Sequence, residues 1–399
     1  MTARREALAR AGLYLGGFLG PFGGGLTVAM LPELGASFGT TAEAATVTVT
    51  AYLLPFAVLM LVSGTLGERW GRRRTVVAGY VVYVLASLAC ALAPTMPQLL
   101  AARGLQGAAN AFTTPLVLAT LGATVAPQRM GRALGWFGAL QAFGQTSAPL
   151  VGGLAAELDW RLAFVGTAVV AGGLAVVGLP AEPRDPGSGP PPPARLATAL
   201  RPRVLRLGLV AAIGWGCLAG LGFLVALRLE ADFGAGAGTR GLVLTCLGAV
   251  GMLAARFVGG LADRVGPRRC VLTGAGLGAL LVVGIGLAPD LLLVGALWAL
   301  GGVATQLVLV GVNLLVLGGP EGNRGGAMSV VLSVRFLGGS LAPVALTPVY
   351  ASRPVAGFLL PAVLIVALVP LLLPGPSRPP GTDPTSPRAR DRDGGPAPG

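Results

Sequence analysis

Histidine and lysine are both absent from the 399 residues, and charged residues of every kind make up only 11%. Without imidazole, Ser-His and Cys-His nucleophiles, histidine metal sites and histidine proton relays are excluded. The scarcity of charge excludes an ordinary soluble domain, in which roughly a quarter of residues are charged. Aromatics reach only 6%. Despite a formal net charge of +13, the basic residues are not interleaved with aromatics on one face, as a nucleic-acid surface requires. Cys90, Cys217, Cys246 and Cys270 lie far apart with no CxxC pair. That leaves neither a metal site nor a disulfide framework and fits small packed residues. No cofactor is implied, and the chain reads as a non-enzyme.

What is present is apolar: 54% of the chain, arranged in repeated runs nearly free of charge. Each run is about 20 residues long, the length a helix needs to cross a bilayer. The 64 glycines exceed the usual share of about 7%, as expected where small residues let membrane helices approach closely. Hydropathy places twelve spans, at 11–31, 45–66, 75–93, 98–123, 131–155, 162–180, 204–228, 240–262, 270–289, 291–317, 326–349 and 354–374. The first follows Arg4, Arg5 and Arg10. Its apolar part is too long for a signal peptide and more spans follow, so it reads as an uncleaved helix.

All 29 basic residues are arginine, and their positions define a topology. With the N-terminus inside, twenty-two fall in cytoplasmic segments or at the span ends beside them, only Arg161, Arg228, Arg240 and Arg353 in external loops or at their edges, and Arg103, Arg256 and Arg335 further within spans. Acidic residues divide 9 inside to 7 outside, as expected when basic charge alone sets orientation. The sequence therefore predicts a multi-pass protein of the cytoplasmic membrane with both termini inside. Residues 181–203, which include Pro190 to Pro193, and residues 375–399, rich in Pro, Gly, Arg and Asp, read as an extended or disordered linker and tail. They delimit bundles at 1–180 and 204–374.

The two halves carry a matching signature. Gly64-Thr-Leu-Gly-Glu68-Arg69-Trp-Gly71-Arg72-Arg73-Arg74 follows span two, and Gly259-Gly-Leu-Ala-Asp263-Arg264-Val-Gly266-Pro-Arg268-Arg269 follows span eight, 195 residues later. Gly144 with Ala148-Pro149 matches Gly338 with Ala342-Pro343 at an offset of 194. Two matches at nearly one offset identify a duplicated six-helix unit. The tight reversals beside these signatures call on Gly71 and Gly266 for turn conformations that other residues resist. Glu68 and Asp263 can dock as acids at the positive N-termini of spans five and eleven. With Arg69 and Arg264 they form a latch that favours a state closed on the cytoplasmic side. Arg72, Arg73 and Arg74 also serve as topology determinants.

Within the spans no Asp or Glu lies deep, so the buried arginines and amides are the candidates for function. Arg335 sits about ten residues into span eleven, roughly 15 Å deep at 1.5 Å per residue, and its repeat partner is Gln141. Arg103, Gln106, Asn110 and Thr114 share one face of span four, and Gln306 and Asn313 share one face of span ten. Trp215, Phe18 and Phe22 are further candidates for contact with an apolar substrate, although such aromatics more often serve packing. Arg256 lies near a span end and can snorkel. Gln141, Gln145, Pro149, Gly152 and Gly153 follow one face of span five. There the proline bends the helix and the glycines admit a close neighbour.

Over essentially its whole length the chain resembles the major facilitator superfamily. The hallmark loop GxLaDRxGRR occurs twice, with Glu68 for Asp in the first copy. Leu100-Ala-Ala-Arg103-Gly-Leu-Gln106-Gly107 is similar to that family's Arg-containing motif in span four. Gly144-Gln-Thr-Ser-Ala148-Pro149-Leu-Val-Gly152-Gly153 looks like the pattern associated with antiporters, with Ala148 replacing a glycine. The resemblance implies an all-α membrane protein of twelve transmembrane helices in two pseudo-symmetric six-helix bundles. It further implies a monomeric, proton-coupled exporter of small amphipathic compounds or drugs in which Arg103 takes part in coupling. Where some drug exporters of the family carry an Asp in span one, this chain has Gly23, and the nearest acids are Glu33 and Asp290. Two other readings follow from the residues: a permease for a small anionic metabolite drawn by Arg335 and Arg103, and a membrane sensor or scaffold that moves nothing.

Overall fold

The computed structural model describes residues 3–180, 200–319 and 324–375. Most of the expected 181–203 linker, and all but the first residue of the expected 375–399 tail, lie outside the described residues. Among the described residues every regular element is helical. Hydrocarbon demands this, because a backbone N–H or C=O with no water to bind must be satisfied within its own segment.

Among the described residues nine elements are long and apolar enough to cross a bilayer: Ala11–Ser37 (span 1), Ala42–Gly67 (span 2), Arg72–Leu92 (span 3), Pro202–Ala231 (span 7), Ala237–Val265 (span 8), Pro267–Leu287 (span 9), Leu291–Leu317 (span 10), Gly326–Ser352 (span 11) and Pro354–Leu372 (span 12). Three more complete the set of twelve: Met96–Ala111 with Thr114–Thr124 (span 4), Met130–Ala156 (span 5) and Arg161–Val177 (span 6). The one continuous helix expected over 98–123 is thus broken. Pro115, in the first turn of the second piece, has no N–H with which to continue the ladder. Spans 1 and 7 are interrupted in equivalent places, by single 3-10 turns at Val28–Met30 and Ala219–Leu221. Glycine clusters precede both turns and weaken the helix there.

Helix ends carry recognisable stops. Asp290 accepts the Leu293 N–H at 2.8 Å to start span 10. Gly71 and Gly266 take φ of 92° and 86° between spans 2 and 3 and between spans 8 and 9, a region that side-chain-bearing residues avoid.

Packing repeats between the halves. Span 1 lies on span 5, 2 on 4, 3 on 4 and 6; correspondingly 7 lies on 11, 8 on 10, 9 on 10 and 12. Small residues make these approaches possible. At Gly107 an added Cβ would collide with the Tyr52 carbonyl oxygen, and at Gly302, its repeat partner, with that of Leu247. Two further pairs, 5 with 8 and 2 with 11, join the halves. The molecule is therefore two pseudo-symmetric bundles meeting along two equivalent seams. One end of the bundles carries the arginine-rich connections and is called the Arg-rich end; the other is the Arg-poor end.

Candidate functional site

Arg103 in span 4 is fully buried in the N-terminal bundle. Its Nη1 and Nη2 donate to the Gly23 carbonyl at 3.1 and 3.2 Å, Nη1 also to Gln106 Oε1 at 2.6 Å, and Nε to the Thr48 carbonyl at 3.4 Å. The guanidinium lies over the Tyr52 ring, 4.4 Å from its centroid. Gln106 passes the chain on to Ser87 Oγ at 2.8 Å. The break in span 1 explains Gly23: its carbonyl points at the arginine, and an added Cβ would strike the Tyr83 and Tyr52 hydroxyls. Asn110 accepts from Thr113 at 3.0 Å and Thr114 at 3.4 Å, while its Nδ2 is buried with no hydrogen-bond partner among the described residues. The polar face of span 4 is thus a packed internal network in this conformation, with its cation held by carbonyls and aromatic faces and no carboxylate.

Arg335 in span 11 is treated differently. Its Nε is buried with no hydrogen-bond partner among the described residues, and its guanidinium lies against both Trp215 and Phe336, 4.7 and 4.8 Å from the two ring centroids. It borders a cavity of ≈ 20 Å³ between spans 7, 10 and 11, together with Trp215, Thr305 and Asn313. The structure therefore brings Arg335, Trp215 and Asn313 together. Gln306 packs toward Gly251 of span 8, and Gln141 is half-buried on span 5 away from that cavity. Phe18 stacks on Phe22 at 4.9 Å, and Arg256 is exposed over Phe257.

Polar contacts between the halves concentrate at the Arg-poor end. Arg240, in the first turn of span 8, is buried; it donates from Nη2 to both carboxylate oxygens of Glu33 at 2.5 and 2.6 Å and from Nε to the Ala29 carbonyl at 2.9 Å. Glu157 accepts the Gly238 N–H at 2.7 Å. Thr46 and Thr347 share a hydrogen bond at 3.2 Å, and Thr50 donates to the Ser340 carbonyl at 2.6 Å. Nearer the middle, Phe56 meets Phe336 edge-on at 5.0 Å. The glycine pattern of span 5 serves two neighbours. Gly144 and Gly152 press on the span 1 backbone at Phe18 and Leu26, whereas Gly153 presses on Ala237 and Gly241 of the other half, beside Pro149.

The repeated signatures lie at the opposite end. Arg69, Arg73, Asp263 and Arg264 are exposed, and Gly64 and Gly259 face open space; the Glu68 side chain is outside the described residues. The latch expected from the sequence favours closure at the Arg-rich end. The structure is instead sealed at the Arg-poor end, where a bidentate ion pair and interlocked glycines hold the halves.

Arg240 and Arg228 correct the sequence reading, which left both in an external loop. Arg228 ends span 7, buried, donating to the Ala288 carbonyl at 2.7 Å and pairing with Asp232 at 3.0 Å. A cation in the first turn of a helix opposes the macrodipole, so Arg240 needs an acid. That requirement, with Glu33 placed directly after Pro32 at the mouth of span 1, was the available signal.

Twelve spans in two six-helix bundles, sealed along equivalent seams at one end, define a polytopic membrane protein of the two-bundle transporter architecture. A family model described as the Major Facilitator Superfamily matches residues 13–343 and 207–393, and the chain belongs to that superfamily, one of transporters and not of enzymes. EfpA of Mycobacterium tuberculosis, an uncharacterized MFS-type transporter, is 34% identical over 142 residues, covering 35% of this chain and 27% of that protein. A multidrug resistance protein B homolog of the same organism is 31% identical over 151 residues, covering 38% and 28%. The matched stretches thus span little more than a quarter of these relatives. Among solved structures, a bacterial homolog of the human lysosomal transporter Spinster, inward-facing and occupied, superposes with TM-score 0.73 at 18% identity over 94% of this chain and 96% of that one. The human organic anion transporter MFSD10 does so with TM-score 0.65 at 19% identity over 92% and 99%.

Proposed function

We propose that this protein is a secondary active transporter that works by alternating access and exports small amphipathic compounds or drugs in exchange for protons. The observation that carries the reading is the pair of equivalent seams, sealed at the Arg-poor end by the Glu33–Arg240 pair. Two related bundles joined in that way can rock and open first one end and then the other. The arginine asymmetry supports the Arg-rich end as cytoplasmic, so that the chain is a monomer of the cytoplasmic membrane with both termini inside, caught facing inward. In this reading residues 1–180 and 204–374 are the moving bodies, 181–203 the linker and 375–399 the tail.

When the outer end opens, Glu68, Arg69, Arg73, Asp263 and Arg264, on turns built by Gly64, Gly71, Gly259 and Gly266, close the inner mouth. Arg103 couples because it ties span 1 to span 4. Glu33, freed from Arg240 in the open state, is the acid placed to exchange a proton. Gln106, Asn110, Thr114, Gln141, Gln306, Asn313, Arg335 and Trp215 are the polar and aromatic groups offered to substrate. Gly144, Pro149, Gly152 and Gly153 set the seam that limits leak. The name of one relative, a multidrug resistance protein B homolog, supports the substrate class.

The test is collapse of a pH gradient in everted membrane vesicles on adding amphipathic anions, neutral compounds and cations. The expected result is a substrate-dependent collapse that Arg103→Ala abolishes; no response across the panel, in vesicles and in proteoliposomes alike, overturns the reading. A second reading, a permease for a small anionic metabolite, is favoured by the unpaired Arg335 Nε. It predicts anion uptake that Arg335→Gln abolishes with export of other compounds intact.

A further inference from the structure

Arg103 and Arg335 differ in what remains for a ligand. The Arg103 guanidinium already makes four hydrogen bonds. Arg335 has a buried Nε with no partner among the described residues, and no described ion pair involves it. A buried N–H left without an acceptor is costly, and an anion is the acceptor that also answers the charge of the guanidinium. The neighbouring cavity fixes its size. A volume of ≈ 20 Å³ admits about one water-sized group, so one oxygen of a head group fits there and the rest of the molecule lies outside. Asn313 and Thr305 line the same cavity. The Thr305 hydroxyl donates to the Gly301 carbonyl at 2.9 Å, which leaves the Asn313 amide as the second donor facing the head group. Beside the guanidinium stand Trp215 and Phe336, both half-buried, and Phe336 continues to Phe56 across the seam.

From this geometry we infer that the C-terminal bundle binds the carboxylate or sulfonate head of an amphipathic aromatic anion, with Arg335 and Asn313 on the head and Trp215 and Phe336 against the planar body. The inference rests on the transport reading above and names its substrate class: compounds of one negative charge, in preference to neutral or cationic ones of the same shape. The guanidinium supplies charge-assisted hydrogen bonds, the strong kind in a low-dielectric site. The aromatic pair supplies apolar contact that is indifferent to the ring system, and this suits a site of broad acceptance.

The probes are 2-naphthoate, 2-naphthol and 2-naphthylmethylammonium, three compounds of one shape and three charges, with sodium chloride alone as a fourth. Binding is measured calorimetrically on the full-length protein in lipid nanodiscs. Naphthoate is expected to bind at least tenfold more tightly than the other two. Arg335→Gln removes that preference and leaves naphthol unchanged, while Arg335→Lys, which keeps the charge and loses the fork, retains part of it. The proposal fails if the three probes bind alike in the wild-type protein, a comparison that needs no variant to fold, or if Arg335→Gln leaves the preference intact. Stabilisation by chloride with no discrimination among the naphthyl probes also overturns it, since the site then belongs to an inorganic ion. Vesicle transport separates this from the broader reading. Arg335-dependent naphthoate binding without movement of any compound defeats the transport reading and spares the site. Export of cations unaffected by Arg335→Gln, with equal binding of the probes, does the reverse.

Discussion

The two halves descend from one repeat, yet each places its mid-span arginine in a different helix. At the offset of 195 residues, Arg103 of span 4 corresponds to Trp298 of span 10, and at 194 residues Gln141 of span 5 corresponds to Arg335 of span 11. Trp298 keeps one element of the arrangement, donating to the Leu244 carbonyl at 3.2 Å as Arg103 does to that of Thr48. It needs no further partners, and among the described residues the C-terminal bundle has no counterpart of the network that runs through Gln106 and Ser87. In place of the satisfied Arg103 it has Arg335, whose buried Nε has no partner among the described residues, beside a cavity. The lesson is one of division: the N-terminal bundle commits Arg103 to holding span 1 in its broken shape, and the C-terminal bundle keeps Arg335 available.

The sharpest way to break that comparison is to remove each arginine. Arg103→Ala strands the Gly23 and Thr48 carbonyls and Gln106 and leaves a void. The expected loss is about 3 kcal/mol or more, read as thermal unfolding in nanodiscs. Arg335→Ala gives up two ring contacts and no described hydrogen bond, and should cost about 1 kcal/mol or less. An equal or reversed order defeats the division of roles.

Where the repeat is kept, the effects should match. Gly107→Ala and Gly302→Ala each drive a Cβ into a facing carbonyl, and each is expected to cost about 1–3 kcal/mol by the same measurement. A large difference between them means that the two bundles pack less alike than their backbones suggest.

Next comes the seam. Glu33→Gln weakens the pair with Arg240, whose side chains are 29% and 2% exposed. Allowing for that exposure, about 1–2 kcal/mol is removed from the state closed at the Arg-poor end. Spin labels at Asp159 and Thr239, exposed residues on either side of that end, should report a longer-distance population. The exchanged pair Glu33→Arg with Arg240→Glu should restore the short one. The smallest effect is expected of Asp263→Asn. Its side chain is exposed in this state, so thermal stability and the 159–239 distance should not change, while turnover falls if Asp263 closes the inner mouth in the opposite state.

All twelve spans were legible as apolar runs, and the repeat was legible because its signature sits in the tight turns at Gly71 and Gly266. The breaks in spans 1, 4 and 7 were not, because hydropathy averages over a window and cannot register two glycines or one proline at a helix midpoint. Of the site, the sequence drew attention to Arg335, Trp215 and Asn313, which one cavity unites, and to the face of span 4. It could not distinguish a face that lines a passage from one locked into a core, since the partners of Arg103 come from spans 1 and 2. Arg240 was missed for the same reason: its acid lies 207 residues away in the chain, and an arginine beside a loop looks solvated until that partner is placed.

The central claim, that the halves must part at the Arg-poor end for transport, is tested most directly by locking them there. Thr46 and Thr347, hydroxyl to hydroxyl at 3.2 Å across the seam, can be replaced by cysteines in a background lacking Cys90, Cys217, Cys246 and Cys270. Proton-coupled flux in proteoliposomes is then measured, using the panel compound that gives the largest response, before oxidation, after it and after reduction. The account predicts flux that oxidation abolishes and reduction restores. Undiminished flux through the cross-linked protein would contradict it.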